Sequence, residues 1–154
     1  MKHATTFAAA LLAAGMLAAA AYGQAGYGDY ATTPAPQAQA GAVRTQVRTA
    51  LTHAGFAATA DTPNGVVQHL GHALNCLEGE GGKNFNRAWG HVCQGQGRGI
   101  LSDLRASPGN DLMLVAQAAA DLAAAGTRSR SVNESRMAAK GVAALLQVMA
   151  DALK

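Results

Sequence analysis

Four separate stretches of this chain place their large apolar side chains three or four positions apart. In about Ala42 to Ala54, Val43, Val47, Ala50, Leu51 and Ala54 share one stripe while Arg44, Arg48 and Thr52 point away, and Gly55 stands where a helix stop is expected. The second stretch opens with Thr62 as N-cap and Pro63 at the first helical position, then carries Val66, Val67, Leu70, Ala73, Leu74 and Leu77. A third, from about Asn110 to Ala125, turns Leu112, Val115, Ala119, Leu122 and Ala123 inward and is followed by Gly126. In the last, Ser131 and Glu134 form a capping box, and Ala138, Val142, Leu145, Leu146, Met149 and Leu153 line one side. This periodicity predicts an all-α protein, most economically a four-helix bundle.

Composition supports the class. Of 154 residues 37 are alanine, seven are aromatic and one is isoleucine, too few β-branched and aromatic side chains to cover a pleated sheet. A formal charge of +3 is far from the dense basic stripe that nucleic acid requires, so no nucleic-acid partner is expected.

Residues 1–23 read as a signal peptide. Lys2 and His3 make a positive start, Phe7 to Ala21 is apolar, and Ala21-Tyr22-Gly23 supplies small residues for cleavage before Gln24. No other segment is apolar enough for a membrane anchor, so the mature chain is expected to be exported, periplasmic or secreted, in an oxidising compartment. Residues 24–41, rich in Pro, Gln and Ala, read as a flexible leader, which leaves 42–154 as one helical domain.

A helical bundle does not account for residues 78–109. Seven glycines lie between Gly79 and Gly99, together with Phe85, the single tryptophan Trp89, His91 and Cys93, and only Ile100 to Leu104 looks like another helical turn or two. Two cysteines in an exported chain predict a Cys76–Cys93 bridge tying this loop to the second helix. The competing arrangement keeps thiolates as metal ligands, although C-x-x-C patterns for zinc, redox or haem attachment are absent.

Histidines crowd the same region. His69 and His72 share a helix sector with Cys76, and His91 is two residues from Cys93, so the bridge would bring His69, His72 and His91 together. Three imidazoles suit Zn²⁺ or Cu²⁺, with Glu78, Glu80 or Asp103 as oxygen ligands. His53 reads instead as a cation at the end of the first helix, interacting with its dipole. Methionines Met113, Met137 and Met149 read as core filling.

Gly95-Gln96-Gly97-Arg98-Gly99 lacks the rest of a phosphate-binding fingerprint, and no carboxylate pair or nucleophile–base pair is apparent. The expected role is therefore binding and not catalysis, with a transition metal at the His cluster. An alternative is an interaction module whose loop docks a partner protein through Phe85 and Trp89. A third is non-covalent haem binding within the helices.

Overall fold

A computed structural model of the chain describes residues 36–107 and 111–154. The expected signal peptide, 1–23, and the leader as far as residue 35 lie outside the described residues. Five α-helices and no strand occur among the described residues: α1 Pro36–Thr59, α2 Pro63–Glu78, α3 Ile100–Arg105, α4 Leu112–Arg128 and α5 Val132–Ala152. No helix is long and apolar enough to cross a membrane among them.

The four long helices form two hairpins. Residues 60–62 join α1 to α2 and residues 129–131 join α4 to α5, and turns this short make each pair antiparallel neighbours. Across the hairpins α1 packs on α5 and α2 on α4, while short α3 lies against α1, α2 and α4. The core is built from Leu70, Leu74, Leu77, Ile100, Leu104, Leu146 and Met149, set against fully buried alanines on α1 and α4.

Two caps follow the expected chemistry. Thr62 Oγ1 accepts from Gly65 N at 3.1 Å with Pro63 behind it. Ser131 Oγ accepts from Glu134 N at 3.3 Å, but the return half of the box is relayed: Ser131 N donates to Ser129 Oγ, which donates to Glu134 Oε2 at 2.6 Å.

Helix boundaries depart from expectation in instructive places. α1 starts at Pro36, so the described part of the expected leader, residues 36–41, is helical. What secures it is polar: Gln39 is buried and its amide donates to the Asp103 carbonyl at 2.9 Å. Nor does α1 stop at Gly55; a mid-helix glycine costs about 1 kcal/mol, and burial of Ala54 and Ala57 on either side carries the helix on to Thr59. Gly126 likewise lies inside α4. A Cβ there would stand 2.6 Å from both Ala138 Cβ and Leu70 Cδ2, so this glycine is a point of close helix approach and not a terminator. Met149 fills the core and Met113 packs beside it, whereas Met137 is exposed.

Residues 79–99 hold one 3-10 turn, Arg87–Trp89, and no longer element. Cys76 and Cys93 are bridged, with Cα atoms 5.3 Å apart and both residues fully buried. The two ends of the segment touch: a side chain at Gly79 would overlap the Arg98 carbonyl, and both Gly79 and Gly99 adopt positive φ. Buried Asn75 holds the middle, donating to the carbonyls of Asn86 (2.8 Å) and Gly90 (2.7 Å) and accepting from Asn86 N (2.9 Å).

Candidate metal centre

His53 stands six residues before the end of α1 and His69 six after the start of α2, so the hairpin sets them at one height. His72, three residues on, shares His69's face of α2. Their ring nitrogens converge: His53 Nδ1 is 3.3 Å from His69 Nδ1 and 3.1 Å from His72 Nδ1. One ligand atom from each of the three lies within 4.8 Å of the others. For an ion bound tetrahedrally at 2.0–2.1 Å, neighbouring nitrogens stand about 3.3–3.4 Å apart, close to the spacing observed.

Burial disfavours the charged form of two of these rings, His53 and His72. Burial, then the neighbouring His72 and His69, push the His53 pKa down to about 4. The His72 pKa is also lowered, chiefly by burial and further by His69, while the Trp89 carbonyl facing the ring works the other way. At neutral pH His53 and His72 are thereby held as uncharged imidazoles, the form in which histidine ligates a metal. Phe56, half exposed, sets its ring edge against His53 and His69, with centroids 5.6 and 5.3 Å away.

The structure thus brings His69 and His72 together, but with His53 and not with His91. Since α1 continues past Gly55, His53 is not at a helix end and its ring meets α2 instead of capping carbonyls. His91 lies on the other side of the loop, edge-on to Phe85 at 5.1 Å, its Nδ1 3.7 Å from Glu80 Oε1. It lines a separate cleft of about 360 Å³ with Glu80, Gln94 and Arg98. The bridge does tether Cys93, but the His91 ring packs against Phe85 and beside Glu80 and does not join the other three histidines.

None of the suggested oxygen ligands joins the three histidines. Glu78 is buried and accepts from both the backbone N and the side-chain Nδ2 of Asn84. Asp103, also buried, accepts from Gln46 Nε2 (2.9 Å), Arg98 N (3.0 Å) and Arg98 Nε (3.0 Å), which commits both oxygens to structure. Glu80 sits beside His91 and Arg87.

The two loop aromatics do not form a projecting patch. Trp89 is half-buried with its ring against Gly71, where any Cβ would overlap it, and Phe85 is half-buried against His91. Large apolar side chains that are exposed among the described residues are Phe56, Leu114, Met137 and Val148.

His53 was legible only in part: two histidines equally far from a three-residue hairpin turn stand at one height if both helices reach it, but which way each ring faces depends on how the packed helices are rotated. Compared with known proteins, the chain matches no family model, no curated protein and no solved structure.

Proposed function

We propose that this protein is an exported four-helix bundle that binds one transition-metal ion, Zn²⁺ or Cu²⁺, through His53, His69 and His72. The observation that carries the reading is the convergence of imidazoles from two helices: His53 Nδ1 lies 3.3 and 3.1 Å from the Nδ1 atoms of His69 and His72, near the spacing of tetrahedral ligands, and one ligand atom from each of the three lies within 4.8 Å of the others. Imidazole suits both ions, and the bridged cysteines leave no thiolate to draw softer metals. Three protein ligands leave a fourth position for water or an exogenous donor beside Phe56. The role is binding, not catalysis.

The glycine-rich loop serves this site as an outer shell. Its Trp89 carbonyl faces His72, the kind of acceptor that orients a ligating imidazole. Export is supported by the buried disulfide and by the apolar start of the sequence, and mass spectrometry of the exported protein should find Gln24 as its first residue.

Trp89 is the only tryptophan, with its ring on Gly71 next to His72 and its carbonyl facing His72, so its fluorescence is placed to report Cu²⁺. Titration of the mature protein should quench it with an end-point at one ion per chain, and elemental analysis should find about one Zn²⁺ or Cu²⁺ after equilibration. Absence of stoichiometric metal in both measurements would reject the reading.

A further inference from the structure

Gln68 precedes His72 by one helical turn, which sets its amide over the outer edge of that imidazole. Its Nε2 donates to the Trp89 carbonyl at 2.7 Å and lies 3.2 Å from His72 Nε2. A carbonyl only accepts, so the Trp89 contact decides which end of the amide faces inward: the NH₂ group. The second hydrogen of that group then points at His72 Nε2 and makes it an acceptor. A neutral imidazole carries one proton, so His72 holds it on Nδ1 and donates it across 3.1 Å to His53 Nδ1.

That same Nδ1 must present a lone pair to a metal. Resting on the metal-binding reading above, we propose that Gln68 gates the site: it holds His72 in the tautomer that cannot ligate through Nδ1. Loading moves the proton from Nδ1 to Nε2 with no change in the ring's charge. Gln68 then withdraws, and His72 Nε2–H takes its place at the Trp89 carbonyl. The carbonyl stays in position because Asn75 holds Asn86 and Gly90 on either side of it, independently of Gln68. Gln68 is therefore a regulating and not a ligating residue.

The test is Gln68→Met, which keeps the side chain's length but cannot donate. In metal-free protein, ¹⁵N-histidine NMR should show His72 as the Nδ1–H tautomer in the native chain and as Nε2–H in the variant. Zn²⁺ affinity, measured by chelator competition, should rise roughly three- to tenfold, the worth of one competing hydrogen bond. A purely structural glutamine predicts the opposite: weaker Zn²⁺ binding and an unchanged tautomer. Gln68→Glu, whose carboxylate accepts from Nε2–H, should give the same tautomer change if the methionine variant does not fold. If the native chain binds no Zn²⁺, the metal reading fails on that result alone. The spectrum still decides what Gln68 does, since His72 found as Nε2–H in the native protein overturns the gate.

Discussion

His53 Nδ1 on α1 and His72 Nδ1 on α2 lie 3.1 Å apart although they stand 19 positions apart in the chain. The contact exists because two helices meet at a three-residue turn, and it makes His53 the centre of the cluster, touching both other rings. His53→Ala should therefore abolish binding of the one equivalent of Zn²⁺, weakening it by at least about 100-fold, more than a change in a metal's outer shell costs. His91→Ala should leave the stoichiometry and the affinity unchanged. Chelator competition on the two variants side by side checks both outcomes.

Metal-free stability should depend on pH through the same residue. Above pH 6.5 His53 is neutral whether the chain is folded or unfolded. Between pH 6.5 and about 4 the unfolded chain takes up a proton that the folded one refuses, so stability present above 6.5 is lost progressively as pH falls. His72, lowered in the same direction, adds to this slope. Urea midpoints at pH 7.5, 5.5 and 4 should fall in that order, and His53→Gln should flatten the decline.

Removing the bridge tests how the loop is held. Cys76→Ala with Cys93→Ala opens a loop with a sequence separation of 17 and should lower the unfolding free energy by roughly 3 kcal/mol in the chain-entropy account. Trp89 emission in the folded variant should shift only slightly, because the Asn75 hydrogen bonds still hold residues 86–90. A large red shift would show that the disulfide alone positions the tryptophan.

Gly71 marks the contact between α2 and the loop. A Cβ at this position would overlap the Trp89 ring, so Gly71→Ala should displace the indole, red-shift its emission and cost about 1–3 kcal/mol by overpacking. At Gly81, where a Cβ meets nothing within 4 Å, the same substitution should leave emission and urea midpoint unchanged.

Much of the fold was legible from spacing alone. The stripe Val66, Leu70, Leu74, Leu77 and the caps at Thr62 and Ser131 are local patterns, and local patterns survive into the structure because they depend on residues within a turn of one another. The bridge between Cys76 and Cys93 was legible too, from their even number in a chain with an apolar start. Gly55 and Gly126 misled for a shared reason. A glycine ends a helix only when nothing beyond it is worth burying, and burial of Ala57 and close packing at Gly126 are tertiary facts.

The candidate site divides along the same line. Sequence by itself determined that His69 and His72 share a helix face, because a helix repeats every 3.6 residues, and that the class is all-α, because so many alanines cannot cover a sheet. Only the tertiary structure decided their third partner. Proximity in sequence favoured His91 through its tether to Cys93, yet in the structure that ring lies beside Glu80 and Phe85, while the antiparallel register of α1 and α2 brings in His53. A tether fixes where a backbone passes; the direction of a side chain is set by the dihedrals between, and those are chosen by packing.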